Sequence, residues 1–352
     1  MDRSGQGVGA IFEKGQYFEL SYGLAMPSVS GVGIDNAATP TTTSAATGNV
    51  APDYASLGFA LKMDVNDKVS LAIIMDEPFG AEVDYSTAGY VLNGAGATVE
   101  TSGITVLAKY QLNENMSVYA GPRMISASGE YNRAVAGQAT AGYSATYDSG
   151  SDTGYVVGAA YEIPSIALRA ALTYSSETNF TLDGTRTSAV VGAGTTTLTA
   201  TMPQSVNLDF QTGIAADTLL MASVRWADWS EGTLDDSFLG TAFGGGDANL
   251  ADFNNTDTYT YSLGVARRFN EKFAGVFSVG YEAAQGGTAS NLSPTDGYTS
   301  YSLGGVYNVT EQVKVSGGIR YVDLGDATTE GVGGRFSGNS ATGLGLKVSY
   351  SF

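Results

Sequence analysis

From Ala341 to Phe352 the chain reads A-T-G-L-G-L-K-V-S-Y-S-F. In an extended strand Thr342, Leu344, Leu346, Val348, Tyr350 and Phe352 share one face, and Ala341, Gly343, Gly345, Lys347, Ser349 and Ser351 share the other. An oily face backed by a small, polar one suits a soluble sandwich with the oil inside. It equally suits a barrel in lipid, with the oil outside and a polar lumen. Recurrence of the pattern along the chain decides between them.

It recurs. Phe18, Leu20 and Tyr22 alternate with Tyr17, Glu19, Ser21 and Gly23, and Leu57, Phe59, Leu61 and Met63 form the next oily face. Val69, Leu71, Ile73 and Met75 follow after the turn Asp64 to Lys68. Further on, Ile166, Leu168, Ala170, Leu172 and Tyr174 oppose Ala167, Arg169, Ala171 and Thr173, and Val206, Leu208 and Phe210 oppose Asn207, Asp209 and Gln211. Short turns at Asp64–Lys68, Asn113–Asn115, Pro164–Ser165, Ala215–Asp217, Asn270–Lys272 and Thr310–Gln312 alternate with long connections. These run over about 28–53, 77–97, 132–151, 183–199, 230–256, 283–296 and 324–338. Short and long never exchange order, which predicts about fourteen antiparallel strands in a transmembrane β-barrel, both termini at the short-turn end.

Composition agrees with this class and removes others. The 352 residues include 47 Gly, 21 Tyr and 14 Phe with only 15% charged, as expected of many short strands and turns. No apolar run approaches the roughly 20 residues of a membrane helix. With no Cys and no His there is no thiol chemistry, no zinc-finger spacing and no histidine triad, so the chain is not expected to be an enzyme or to hold a cofactor. A net charge of −18 without a basic run argues against nucleic acid. Met1-Asp2-Arg3-Ser4 lacks the apolar stretch of a secretory signal, so an outer-membrane protein is expected to begin at Asp2 after removal of a leader.

Two further stretches carry expectations of their own. Residues 1–15 are Gly-rich with mixed charge and apolar groups, including Asp2, Arg3, Ser4, Gly5, Ile11 and Phe12; they read as a plug folded against the barrel of residues 16–352. In Glu77-Pro78-Phe79-Gly80-Ala81, Pro78 cannot donate to a ladder and Gly80 weakens one, which predicts a bulge or a break in the third strand. A surface loop starting at Glu77 is the plainer alternative.

The hairpin from Pro203-Gln204-Ser205-Val206-Asn207-Leu208 into Val224-Arg225-Trp226-Ala227-Asp228-Trp229 resembles the FadL/TodX family of outer-membrane long-chain fatty acid and hydrophobic-compound transporters. So do Ile73-Ile74-Met75-Asp76-Glu77-Pro78-Phe79-Gly80 and the terminal Tyr350-Ser351-Phe352. The resemblance implies a 14-stranded barrel with an amino-terminal hatch in the lumen, and release of substrate sideways through an inward kink of the third strand at Pro78, Phe79, Gly80 and Ala81. The family's Asn-Pro-Ala hatch motif is missing and the first strand begins near residue 16, so the hatch is expected to be reduced.

The inward faces hold Lys109, Arg123, Arg169, Asp209, Arg225, Arg320 and Lys347, read either as braces of the lumen or as partners for an amphipathic ligand's head group. Phe238, Leu239, Phe243, Leu250 and Phe253, interleaved with acid in a long loop, read as a first-contact site for a greasy solute. Asp235, Asp236 and Asp247 lack calcium-loop spacing, and no metal site is expected. The function expected is a diffusion channel for hydrophobic or amphipathic small molecules such as fatty acids, acyl-homoserine lactones or aromatics. Its partners would be outer-membrane lipid and lipopolysaccharide, and it would act as a monomer. A general polar-solute porin and a structural or adhesive barrel are the alternatives.

Overall fold

The computed structural model describes residues 2–34, 45–134, 142–189, 191–242, 250, 256–330 and 334–352. Within them the alternating stretches close into one antiparallel barrel. Its strands are β1 (Tyr17–Ser28), β2 (Tyr54–Asn66), β3 (Val69–Asp76 and Gly80–Tyr85), β4 (Ala95–Gln111), β5 (Met116–Arg133), β6 (Tyr143–Ile163) and β7 (Leu168–Ser175 and Thr178–Thr187). Then come β8 (Gly194–Met202 and Ser205–Ala215), β9 (Thr218–Ala227 and Thr233–Asp236), β10 (Thr258–Arg268), β11 (Phe273–Glu282), β12 (Tyr298–Asn308), β13 (Val313–Leu324) and β14 (Asn339–Ser351). Four of these strands consist of two segments, so the 18 hydrogen-bonded segments of the sheet make fourteen strands among the described residues. β1 pairs with β14, Tyr17 opposite Ser351 and Leu24 opposite Leu344, which closes the cylinder.

All six short turns stand where the sequence puts them; two turn through a left-handed residue, Ala167 and Asp217, and in the other four a side chain replaces a missing ladder partner. The Oδ1 atoms of Asn66, Asn113 and Asn270 and the Oγ1 of Thr310 each accept from the backbone N–H two and three residues on. The oily faces point outward and stay exposed, Leu57 and Leu303 to 63% and Leu346 to 52%, as a wall facing hydrocarbon requires.

At the other end the strands run further than the sequence indicates. β3 resumes at Gly80 and ends at Tyr85, β5 reaches Arg133, β6 starts at Tyr143, and β7 and β8 extend to Thr187 and from Gly194. In β3, β7 and β8 these extensions show no oily outer face because their faces are reversed. In β7 the even positions Leu172 and Tyr174 face out below Ser176-Glu177, whereas Phe180 and Leu182 above it are buried inside. In β8, Val206 and Leu208 face out, whereas Leu198, Ala200 and Met202 beyond Pro203-Gln204 are buried. β3 turns over in the same way across Glu77 to Phe79, with Ile73 and Met75 outside and Val83 and Tyr85 inside, and β9 across Asp228 to Gly232. These breaks lie at one height. Ser205 pairs with both Ser175 and Ala227, and the Phe79 ring meets the Trp229 ring edge-on at 5.9 Å across the lumen.

Below the breaks the wall is oil outside, with polar, small and some apolar residues inside; above them it is an upper wall with a core of its own. That upper core gathers Phe79, Ile125, Tyr143, Phe180, Met202, Trp229 and Leu234. The lower interior holds a second cluster, Val8 and Ile11 against Ala60, Ala72, Leu107, Val156 and Ala171. A small sheet of Gly31–Gly33, Gly334–Phe336 and Ala327–Thr328 lies over the low side of the rim.

Candidate functional site: the break in the third strand and its surroundings

The chain's start runs through the barrel. Gly5 and Gln6 both take positive φ, a turn that brings the segment back on itself. Asp2 forms an isolated bridge with Phe79, and the Arg3 N–H donates to the Pro78 carbonyl at 3.0 Å. The Ser4 hydroxyl donates to Asp76 at 2.5 Å. From the far wall, Ser205 donates to Gln6 and Asn207 to the Gly5 carbonyl, each at 2.8 Å. The Arg225 guanidinium reaches the Asp2 carboxylate at 2.6 Å. Lower down Ile11 is fully buried, and Phe12 meets Tyr119 edge-on at 5.4 Å. The Arg169 guanidinium lies 4.7 Å and the Lys109 ammonium 5.4 Å from the Phe12 ring.

In β3 the break is a one-residue surplus. Asp76 pairs with Gly103 and Gly80 with Glu100, leaving Glu77, Pro78 and Phe79 opposite Thr101 and Ser102. Thr101 makes good the lost rungs: its hydroxyl accepts from Phe79 N–H at 3.0 Å and donates to the Phe79 carbonyl at 2.7 Å. On its other edge β3 departs from β2. The ladder stops at Phe59 opposite Met75, and Tyr54 to Gly58 have no strand partner on that side. The next contact is above, where Asp84 N–H donates to the Val50 carbonyl at 2.9 Å. Between these limits the wall has a window. The Glu77 carboxylate accepts from Leu57 N–H at 3.2 Å. The Arg3 side chain fills the rest, 3.6 Å from Glu77, 4.2 Å over the Tyr54 ring and against Gly80, where any Cβ would overlap its guanidinium.

Behind the window lies a cavity of about 260 Å³, bounded by Arg3, Tyr54, Gly80, Ala81 and Val83 below and by Leu234 and Leu292 above. Through Ala97, Val99, Leu234 and Leu292 it adjoins a tight apolar slot of about 30 Å³ lined also by Ala127, Leu182, Met202 and Leu250. The slot's roof hangs on Asp236, 1% exposed, whose Oδ2 accepts from Tyr143, Tyr147 and Thr196 at 2.8, 2.6 and 2.9 Å. Its Oδ1 accepts from the backbone of Phe238 and Leu239. Burial first, and then the bond to Asp236, push both tyrosine phenols well above their ordinary range, so they remain donors.

The structure therefore gathers the sequence's candidates unevenly. Pro78, Phe79, Gly80 and Ala81 lie at the break, and Asp2, Arg3, Ser4, Gly5, Ile11 and Phe12 line the interior beside it. Phe238 and Leu239, expected as an exposed capture surface, turn inward: Leu239 is buried, Phe238 stacks on Tyr143 at 5.7 Å beneath the Arg186 guanidinium, and Leu250 faces the slot. Phe243, Phe253 and Asp247 lie outside the described residues. Of the inward charges, Arg225 pairs with Asp2 and Lys347 with Glu19 at 3.1 Å. Arg123 is buried on Thr105 and Ser175, Arg169 reaches Gln211 at 3.2 Å, Arg320 holds Ser300 at 2.9 Å, and Asp209 is exposed on the β8 inner face. Tyr54, Glu77, Thr101 and Asp236 were not singled out for the window or the slot. Glu77, beside Pro78, had a local signal, as did Asp236 through its bonds to the backbone two and three residues on; Tyr54 and Thr101 act through partners far along the chain.

No curated protein sequence matches this chain. Among solved structures, a FadL homologue of Pseudomonas aeruginosa superposes with a TM-score of 0.77 at 15% identity, covering 97% of this chain and 92% of the other. The Pseudomonas putida toluene transporter TodX gives 0.70 at 12% identity over 98% and 92%. The Ralstonia pickettii toluene transporter TbuX gives 0.68 at 14% over 97% and 91%. At such identities these establish the fold. Residues 10–352 match the family described as outer membrane protein transport protein (OMPP1/FadL/TodX), and the chain, a closed fourteen-stranded barrel of the bacterial outer membrane, belongs to that family.

Proposed function

We propose that this barrel carries hydrophobic or amphipathic small molecules inward across the outer membrane and releases them sideways through the window between β2 and β3. The supporting observation is the window itself, framed by Phe59–Met75 below and Asp84–Val50 above and filled by one side chain, Arg3, of the amino-terminal segment. Irregular backbone at membrane depth is tolerated where it lines a cavity, and here a cavity leads from the apolar slot to that opening. An apolar solute leaving by this route exchanges pocket burial for lipid burial, which costs little free energy; a water-filled exit would cost about 25 cal/mol for each Å² of apolar surface wetted.

The amino-terminal segment acts in this reading as a reduced hatch, holding Arg3 in the window. Fatty acids, acyl-homoserine lactones and aromatics all match an apolar slot near a guanidinium, which can pair with a carboxylate head where one is present. Gly80→Phe tests the route. Its ring would take the place of the Arg3 guanidinium but, being fixed to β3, could not withdraw with the hatch. Uptake of a hydrophobic tracer by cells bearing the variant is expected to fall severalfold with the barrel's heat-modifiable mobility intact; wild-type uptake would remove the window from the path.

A further inference from the structure

The amino-terminal segment fills only one half of the lumen. Against β3 to β7 the inward side chains are closely packed, with Thr105, Leu107 and Val156 fully buried. Across the barrel the inward residues Lys314, Gly318, Arg320 and Gly345 are exposed to solvent from within. The Lys347–Glu19 ion pair is likewise 42% and 22% exposed.

Two cavities occupy this hollow half. One of about 480 Å³ begins under Arg3 and Tyr54 and is walled by β1, β2 and β11 to β14. The other, of about 420 Å³, shares Gly23, Ser56, Gly318 and Gly345 with it and descends past Ser316 and Lys347 toward the short-turn end. Above, the 480 Å³ cavity meets the 260 Å³ cavity of the slot at Arg3 and Tyr54. The three form a column along the barrel axis. At roughly 10–15 Å³ of such space per water, the two lower cavities hold tens of molecules, and the charges lining them keep that space wet.

We propose that the barrel has a second passage, an axial one for small hydrophilic solutes and ions, which passes the inner side of the window and runs down the hollow half beside the hatch to leave at the short-turn end. Its upper and lower parts join at Arg3 and Tyr54, which line both cavities. The chain supplies its own clean background for a test, since it has no Cys. A Cβ at Gly345 meets nothing within 4 Å, so Gly345→Cys adds a thiol to the conduit without strain. Ser316→Cys does the same lower down, and Ala72→Cys, 1% exposed in the packed half, is the control.

The full-length barrel, reconstituted in planar lipid bilayers in potassium chloride, is expected to pass a steady ohmic current. A charged methanethiosulfonate reagent should cut that current by more than half in the Gly345→Cys and Ser316→Cys proteins and leave the Ala72→Cys protein unchanged. A wild-type current no greater than that of bare lipid would overturn the proposal. So would a current that modification at neither Cys alters, provided mass spectrometry shows the label attached. Uptake of a hydrophobic tracer, read in parallel, separates this passage from the window: loss of either activity leaves the other reading standing.

Discussion

Removing the Arg3 side chain should open the window rather than disable it. Arg3→Ala deletes an ion pair to Glu77 at 3.6 Å whose partners are 13% and 27% exposed, worth about 0.2–1 kcal/mol at such accessibility. It also deletes the cation–π contact with Tyr54 at 4.2 Å, worth about 0.5–1 kcal/mol. Together these hold the opening closed by about 0.7–2 kcal/mol, and a tenfold change per 1.4 kcal/mol makes that about 3- to 30-fold in the population of the open window. The backbone bond from Arg3 to Pro78 survives the substitution, so the hatch stays in place. Initial rates of hydrophobic tracer uptake should rise within that range wherever exit limits the rate, with Arg3→Lys between the two because it keeps charge but loses the planar stack. Equal amounts of folded barrel in the membrane are the control. A rate at or below wild type in Arg3→Ala would show that the guanidinium does not obstruct the exit.

Two other substitutions probe the supports. Thr101→Val leaves the Phe79 N–H and carbonyl without the hydroxyl that serves both, and should cost about 1–3 kcal/mol in urea unfolding while speeding amide exchange at Phe79; unchanged exchange would mean that the break needs no such support. Asp236→Ala strips the acceptor from three hydroxyls and two backbone N–H groups, with an expected loss of about 3 kcal/mol or more. The release of residues 234–239 from protection in hydrogen-exchange mass spectrometry is the measurement, and full protection there would show the roof to be held by packing alone.

The lower barrel was legible because one physical contrast, lipid outside against a polar lumen, repeats along every strand. Leu344, Leu346 and Val348 announce it at the end of the chain, and Asn113 and Asn270 mark the turns through bonds only two and three residues long. Above the breaks that contrast reverses, and the same alternation in Phe180 and Leu182 or Leu198 and Ala200 belongs to a strand turned over. Nothing in their spacing says which side is wet. Pro78 and Gly80 flagged the break from local chemistry, whereas Thr101 at its flank, Arg3 in the window and the Tyr143–Tyr147–Asp236 cluster depend on pairings that no short stretch encodes. Phe238 and Leu239 were misjudged for a related reason: apolar residues set among acids look like an exposed patch until a buried carboxylate draws them in.

The turned-over strands divide the molecule by solvent. The lower drum owes its order to hydrocarbon outside and to a complete hydrogen-bonded girdle, while the storey above it coheres as a water-soluble protein does, by hiding oil from water. Each could therefore change under its own selective pressure, the upper to suit a new cargo and the lower to suit a new bilayer, provided the two agree at the four short hinges and along β4 to β6, which run unbroken through both levels.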